Sequence, residues 1–347
     1  MTEQSEPPVE PDEARSGLLA EPDEARSGLL AEPDEARSGV LAEPDEARTG
    51  VLAEPDEART GMLAEPDEAS DDELYRAENL TRRYRSSGRE VLALDGVDLR
   101  LRRGHRLGIV GESGSGKSTL VRLLAALDRP TAGNVWFEGT EITALPERRL
   151  GFLRAAVQMV FQDPRSSLNP RMRVGDIITE PLRSRLVRRQ LPSGVDHAQR
   201  LAEVLEAVDL PLDAGRRYPH EFSGGQRQRI AIARALAPKP EVLIADEPVS
   251  ALDVSVRAQV LNLLTDLVAA QGLTLVVVSH DLMVVRHLCD QLLVMRQGRV
   301  VEAGATADVY ADPQTDYTRA LLAAVPRIRS GGADRESRPN GRRPGED

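Results

Sequence analysis

The sequence predicts an α/β fold in which a mainly parallel sheet is covered by helices on both faces. From residue 74 onward, short apolar runs that are typical of buried strands alternate with helical patterns. Strands that alternate with helices usually pair in parallel, and such sheets are buried on both sides. The strand runs are Leu107–Val110, Val157–Phe161, Val242–Ala245, Leu275–Val278 and Leu292–Met295.

Helical patterns fill the intervals between these strand runs. They cover Thr119–Ala126, Ala198–Val208, Gln226–Leu236 and Val256–Ala269. The stretch from about 164 to 236 contains helical patterns and no convincing strand. It is therefore predicted to be a helical insertion into the sheet-forming domain, which spans residues 74–326.

Two terminal segments differ from this domain in composition. In residues 1–73 an eleven-residue unit, P-D-E-A-R-S-G-L-L-A-E, begins at Pro11 and recurs five times, the last time in part. Each unit holds a proline, a glycine and too few apolar residues to build a core, so this segment is predicted to be disordered. Residues 327–347 are rich in Gly, Arg and Pro and are predicted to be a second disordered tail.

Charge and cysteine content exclude several functional classes. The formal charge of -11 comes from residues 1–73, which carry a net charge of -18, while the remainder carries +7. The single cysteine, Cys289, excludes an internal disulfide and a cysteine-rich metal site. No apolar run approaches the ~18 residues that span a bilayer, and the N-terminus lacks a signal-peptide pattern. The chain is expected in the cytoplasm, and a role at a membrane would require a partner that anchors it.

The strongest motif is a glycine loop that follows a buried strand and precedes a helical pattern. It matches G-x-x-x-x-G-K-[S/T], whose backbone N–H groups curl around nucleotide phosphates at the start of a helix. Lys117 is expected to reach the β- and γ-phosphates, and the Ser118 hydroxyl to ligate Mg²⁺. Only two of the 45 basic residues are lysines, and a compact ammonium suits this position better than a planar guanidinium. The predicted phosphate ligands are Gly111, Ser113, Gly114, Ser115, Gly116, Lys117, Ser118 and Thr119.

Polar groups at the ends of three other strands complete the predicted site. Asp246 and Glu247 end one strand, where Asp246 can hold Mg²⁺ and Glu247 can polarise an attacking water. His280 ends a second strand and can orient that water against the γ-phosphate. Gln162 ends a third, with an amide suited to water or Mg²⁺. Because the carboxyl ends of parallel strands share one edge, these groups predict a phosphoryl-transfer site.

A second helix start also suits an anion. Ser223 is a natural N-cap for the helical pattern that follows, and Gly224 and Gly225 leave backbone N–H groups open before Gln226. The glycine loop at 111–119 already supplies all the groups that one nucleotide needs to bind its phosphates. The segment 223–226 is therefore expected to meet the γ-phosphate of a nucleotide bound to another molecule, although an ordinary capped helix would look the same.

Residues ~75–326 resemble the nucleotide-binding subunits of ABC transporters. In that family, residues 111–119 correspond to the Walker A loop, 242–246 to Walker B and 223–226 to the signature motif. Gln162 corresponds to the Q-loop glutamine, Glu247 to the catalytic glutamate and His280 to the switch histidine. The resemblance implies a P-loop NTPase core with an antiparallel β subdomain and the helical insertion. It further implies that Tyr84 stacks on adenine.

Two segments resemble the oligopeptide, dipeptide and nickel importers of this family. One is F-Q-D-P-R-S-S-L-N-P-R at 161–171, and the other is Y-T-R-A-L-L-A-A-V-P at 317–326. Thr315-Asp316 stands where that branch usually has His-Pro, and Phe222 begins the signature as in the peptide branch. The resemblance therefore implies ATP hydrolysis that powers peptide import, with nickel, glutathione or another small cargo as the alternative.

The resemblance also implies partners. Two ATPase subunits would pair head to tail, as a homodimer or a heterodimer, so that Ser223 and Gly225 of one close over ATP on the other. Two integral-membrane permease subunits would hold the pair at the cytoplasmic face of the membrane, with a periplasmic or extracellular binding protein acting indirectly and no nucleic-acid partner. Soluble chromosome or repair ATPases share the signature but carry coiled coils or paired cysteines in the 162–223 interval. A non-hydrolysing subunit is the third alternative.

Overall fold

The computed structural model describes residues 72–86 and 89–324, and the fold is given for these ranges. The predicted disorder of the repeats and of the terminal tail falls on residues 1–71 and 325–347, which lie outside them. Residue 73 belongs to the folded part, because Glu73 begins the first strand.

A six-stranded sheet forms the centre of the molecule, in the strand order β10-β9-β3-β8-β7-β6. Four neighbouring pairs are parallel and only β10 pairs antiparallel, which confirms the mainly parallel sheet that the sequence predicts. The strands are β3 (Arg106–Val110), β6 (Val157–Val160), β7 (Val242–Asp246), β8 (Thr274–Val278), β9 (Gln291–Arg296) and β10 (Arg299–Ala305).

A second, antiparallel sheet has the order β2-β1-β4-β5 and confirms the β subdomain. Its long first hairpin consists of two 14-residue strands, whose apolar side chains alternate toward the core. The strands are β1 (Glu73–Ser86), β2 (Arg89–Arg102), β4 (Ala132–Phe137) and β5 (Thr140–Glu141).

Helices cover both faces of the six-stranded sheet. Within residues 164–236 the structure has helices and no strand, as the sequence predicts. The helices of this insertion are α3 (Pro164–Ser167), α4 (Val174–Arg183), α5 (Arg185–Arg188), α6 (His197–Ala207) and α7 (Gly224–Leu236). The remaining helices are α1 (Lys117–Leu124), α2 (Gly151–Ala156), α8 (Val254–Gln271), α9 (Leu282–Leu288), α10 (Thr306–Ala311) and α11 (Asp316–Ala323).

The six-stranded sheet separates two hydrophobic cores. Along β8, Leu275 and Val277 pack into one core while Val276 and Val278 pack into the other, and all four are fully buried. The first core includes the helical insertion and α8; the second includes α1 and the antiparallel sheet. Burial on both faces explains why these strands read as continuous apolar runs.

In the described ranges, no helix combines the length and the apolar composition that crossing a bilayer requires.

Candidate active site

The carboxyl ends of four parallel strands bring the predicted site residues to one edge of the sheet. The register pairs Ile109 of β3 and Asp246 of β7 with the same residue of β8, Val278, and it pairs Val160 of β6 with Ala245. The segments that follow these strands therefore start side by side. This edge is where α/β sheets of this type bind ligands.

The glycine loop between β3 and α1 has a backbone that only glycine tolerates. Gly111 has φ +146°, and a Cβ there would lie 2.1 Å from the carbonyl oxygen of Met295 in β9. Gly116 has φ +103°, and a Cβ there would lie 2.5 Å from the carbonyl oxygen of Ala93. Helix α1 begins at the next residue without a side-chain cap. Its first N–H groups are thus available to an anion.

Lys117 extends back into the loop rather than into solvent. Its Nζ donates to the carbonyl oxygens of Gly111 at 2.8 Å and Glu112 at 2.7 Å, and the side chain is buried. Burial lowers the pKa of Lys117, while the negative charges of Glu247 and Asp246 oppose that shift. The ammonium is therefore held among backbone groups, close to two acids that favour its charged form.

Ser118 and Asp246 form an oxygen pair suited to Mg²⁺. The Ser118 Oγ lies 3.4 Å from Asp246 Oδ1. Burial raises the pKa of Asp246, and the negative charge of Glu247 raises it as well. The hydrogen bond from Ser118 opposes this rise. Residues 72–86 and 89–324 gather no group of three or more His, Cys, Asp or Glu side chains. Mg²⁺ is commonly held by one or two protein oxygens together with substrate phosphates, so this pair fits the ion.

Glu247 is fixed between the two other strand-end groups. Gln162 Nε2 donates to Glu247 Oε2 at 2.8 Å, and His280 Nδ1 lies 3.1 Å from Glu247 Oε1. The Glu247 backbone has φ +46°, a left-handed conformation that is costly for a residue with a side chain and is concentrated at functional sites. The structure therefore brings Gln162, Glu247 and His280 together, as the sequence predicts.

The segment 223–226 forms the helix start that the sequence predicts. Ser223 Oγ accepts from Gln226 N at 3.2 Å and Gln226 Oε1 accepts from Ser223 N at 3.0 Å, so the two residues cap α7 reciprocally. Both side chains are exposed, whereas Gly225 is buried against Val256 of α8. No hydrogen bond or ion pair within the described part of the chain joins this segment to the glycine loop. Nucleotide contact by this segment remains a prediction.

Tyr84 lies near the free end of the β1–β2 hairpin, opposite Val91. Its hydroxyl donates to Asp128 at 2.7 Å, and the guanidinium of Arg82 stacks on the ring with 4.5 Å to its centroid. Ala93 lies two residues after Val91 in β2, and its carbonyl oxygen packs against Gly116 of the loop. The hydrogen bond to Asp128 holds the Tyr84 ring near the segment that follows α1, and its stacking on adenine stays a prediction.

The sequence patterns missed contacts that the loop receives from distant segments. Gly298 N donates to Ser115 O at 3.0 Å, and Gly298 O accepts from Asp95 N at 2.9 Å. Gln297 and Gly298 both have positive φ, as a two-residue turn between β9 and β10 requires. The Gln297-Gly298 pair between two strand runs was a signal for the turn. Nothing in the sequence signalled that the turn supports the loop.

Comparison with known proteins agrees with this geometry. The ABC transporter family model matches residues 94–250. A putative peptide import ATP-binding protein of Brucella ovis is 45% identical over 257 residues, which are 74% of this chain and 80% of that protein. The dipeptide transport ATP-binding protein DppF of Escherichia coli is 50% identical over 240 residues, or 69% of this chain and 71% of that protein.

Solved structures share the fold. A dimeric ATP-binding cassette in a post-hydrolysis state with ADP and Pi is 32% identical, with a TM-score of 0.59, over 67% of this chain and 99% of that one. A cbiO1 structure from Clostridium perfringens, part of an ABC transporter complex, is 28% identical with a TM-score of 0.59, over 70% and 92%. Together with the identity to curated relatives, these matches show that the chain belongs to the ABC transporter family as an ATP-hydrolysing subunit.

Proposed function

We propose that this chain powers the import of peptides through membrane-embedded partner subunits. The observation that carries the proposal is the Glu247 carboxylate, held between Gln162 and His280 at the sheet edge that also bears the glycine loop. The names of the relatives supply the cargo class, because they describe peptide and dipeptide transport.

In this proposal the loop binds the phosphates of ATP. The backbone N–H groups at the start of α1 surround the phosphate oxygens. Lys117, positioned by the carbonyls of Gly111 and Glu112, reaches the β- and γ-phosphates. Ser118 and Asp246 would hold Mg²⁺, with the amide of Gln162 as the third predicted ligand. Mg²⁺ bound there would neutralise charge that develops on the phosphates. Tyr84 stacks on the adenine.

Glu247 performs the proton transfer in hydrolysis. Its carboxylate accepts a proton from the water that attacks the γ-phosphorus, while the bond to the β-phosphate oxygen breaks. His280 fixes the carboxylate through its ring nitrogen and is placed to orient the same water.

The signature segment acts on the nucleotide of a second subunit. The N–H groups of Gly224 and Gly225 have no intrahelical acceptor, and the side chains of Ser223 and Gln226, which cap each other, are exposed. Two subunits would pair head to tail, so that each closes the ATP site of the other, and the cassette dimer among the similar structures supports such pairing. The second subunit is either a copy of this chain or a related ATPase.

Closure and reopening of the pair would drive two permease subunits between inward- and outward-facing states at the cytoplasmic face of the membrane. ATP can drive this cycle only through its tighter binding to the closed pair. A periplasmic or extracellular binding protein would deliver the cargo. Nickel or glutathione is the alternative cargo, and the names of the relatives favour peptides.

Glu247→Gln tests the proposal. The amide keeps the size of the side chain but cannot accept the proton, so we expect ATP affinity within about twofold of wild type and turnover reduced about 10²–10⁴-fold. Hydrolysis should be measured in membranes that contain the assembled transporter, with ATP affinity measured on the same preparation. Near-normal turnover would contradict the role of Glu247. Peptide uptake that survives deletion of this chain would contradict the cargo.

A further inference from the structure

The C-terminal segment, residues 306–324, touches the glycine loop through one side chain. It contains the beginning of the 317–326 motif that resembles the peptide branch, to which the hydrolysis mechanism assigns no task. The backbone N–H of Glu112 donates to the hydroxyl oxygen of Tyr317 at 3.1 Å. The two residues are 205 positions apart in sequence. A motif outside the nucleotide site thus contacts the second residue of the loop.

This hydrogen bond acts on the peptide group that also holds Lys117. The carbonyl of Gly111 and the N–H of Glu112 belong to one planar peptide unit. The carbonyl accepts from Lys117 Nζ at 2.8 Å while the N–H donates to Tyr317. Rotation of this peptide would break both bonds at once. Tyr317 and Lys117 therefore hold opposite edges of the same unit.

The hydroxyl of Tyr317 is itself held in place. The guanidinium of Arg296 lies over the ring, 4.9 Å from its centroid. Arg296 directly follows Met295, whose carbonyl oxygen packs against Gly111. The ring and the loop thus rest on the same end of β9, so the position of one is tied to the position of the other.

Helix α11, which carries Tyr317, is anchored by a buried acid. Glu302 of β10 is 7% exposed and accepts from the backbone N–H groups of Gln314 and Thr315 and from the Thr315 hydroxyl. The Thr315 hydroxyl also accepts from Thr318 N and caps the helix. Thr315 is one of the two residues that depart from the usual His-Pro of the branch, and here it serves as the helix cap.

We propose that Tyr317 is a positioning residue that fixes the Gly111–Glu112 peptide and thereby prepares Lys117 for ATP. The inference rests on the proposed role of residues 111–119 in phosphate binding. Without the hydroxyl, the peptide gains rotational freedom that ATP binding must remove. Within the described ranges no hydrogen bond joins Tyr317 to Glu247 or His280, so the loss should fall on binding rather than on hydrolysis.

Tyr317→Phe removes the hydroxyl and keeps the ring that stacks on Arg296. Tyr310→Phe is the matched control, because it also removes a hydroxyl from the C-terminal segment, but that hydroxyl donates to the carbonyl of Leu282. We expect Tyr317→Phe to raise the Kd and KM for ATP about twofold to tenfold, with kcat within about twofold. Tyr310→Phe should leave the Kd and KM for ATP and the kcat near their wild-type values.

Amide hydrogen exchange gives a second readout that needs no nucleotide. In Tyr317→Phe, exchange should accelerate in peptides that contain the Glu112 amide and stay unchanged in those from α1 onward. Unchanged exchange and Kd in Tyr317→Phe would overturn the inference, and so would equal changes in Tyr310→Phe. A fall in kcat at constant KM would overturn it as well.

Lys117→Ala, measured in parallel, separates this inference from the proposed function. If Lys117→Ala binds ATP as wild type does, the assignment of the loop fails. If it loses ATP while Tyr317→Phe behaves as wild type, the loop assignment stands and only the role of Tyr317 fails.

Discussion

The two glycine-rich helix starts of this chain, at Lys117 and at Ser223, are built in opposite ways. The start of α1 has no side-chain cap, and its loop is supported by Gly298 and Tyr317 from the last third of the chain. The start of α7 is closed locally by the reciprocal Ser223–Gln226 cap, with both side chains exposed.

The first start is built by tertiary contacts within the chain, whereas the second is the surface that we propose acts on the nucleotide of another molecule. Around the first start, tertiary contacts fix the backbone and place Lys117 beside Asp246 and Glu247. Around the second, the polar groups of Ser223 and Gln226 cap each other, and within 72–86 and 89–324 no hydrogen bond joins them to the first site. Binding and hydrolysis should therefore respond differently to changes at the two starts.

The largest expected effect comes from changing one central residue at each start. Lys117→Ala should weaken ATP binding and lower turnover about 10²–10³-fold, because it removes a charge aimed at the phosphates. Ser223→Arg should leave ATP affinity of the isolated chain within about twofold and lower turnover of the assembled transporter by a similar factor. Affinity and turnover should be measured for both variants. If the isolated Ser223→Arg chain lost ATP binding, both helix starts would belong to one nucleotide site within a single chain, and the comparison would be wrong.

A smaller effect should distinguish the two adjacent glycines of the second start. A Cβ on Gly225 would lie 2.2 Å from Val256 Cγ1, whereas one on Gly224 would meet only Leu252 at 3.6 Å. Gly225→Ala should therefore lower the free energy of unfolding by about 1–3 kcal/mol, and Gly224→Ala should leave it nearly unchanged. Urea unfolding of both variants measures this. Equal stabilities would mean that α7 and α8 separate at little cost.

The smallest expected effect comes from Glu302, which anchors α11, the helix whose Tyr317 contacts the loop before α1. Burial raises the pKa of Glu302, but its hydrogen bonds from Gln314, Thr315 and Thr318 outweigh this and leave the pKa below its usual value. A lowered pKa stabilises the fold above the unfolded pKa of about 4.3, and this is lost as pH falls through the folded value. Glu302→Gln should cost about 1–2 kcal/mol at pH 7 in urea unfolding.

The same measurement at low pH serves as its control. The difference in unfolding free energy between wild type and Glu302→Gln should narrow as the pH falls from the unfolded pKa of about 4.3 through the lower folded pKa, because the wild-type acid becomes protonated over that interval. A difference that is independent of pH would mean that shape, rather than charge, anchors α11.

Much of the site could be predicted from the sequence because its signals are local. A buried strand, a glycine loop and a helix follow one another at residues 107–126, so composition and spacing predict a phosphate loop. Asp246 ends one buried strand, Glu247 follows it, and His280 comes two residues after the end of another, which places all three at one sheet edge once the strands are parallel. The β subdomain came from the family resemblance, since its long hairpin gives weak patterns.

Contacts between distant segments could not be predicted in this way. Nothing near Gly298, Asp128 or Tyr317 in sequence indicates which distant residue each one contacts. Their partners Ser115, Tyr84 and Glu112 lie in other parts of the chain. The left-handed backbone of Glu247 was equally hidden, because glutamate does not favour it.

The sequence by itself determined the fold class, the phosphate loop and the acids of the site, because strand and helix periodicity and glycine spacing act over a few residues. How the loop is held, and that Tyr317 contacts it, could be learned only from the tertiary structure. Those answers depend on which strand lies beside which, and on the way β9, β10 and α11 fold back against Gly111 and Glu112. Such packing is a property of the whole chain, and no short window of sequence contains it.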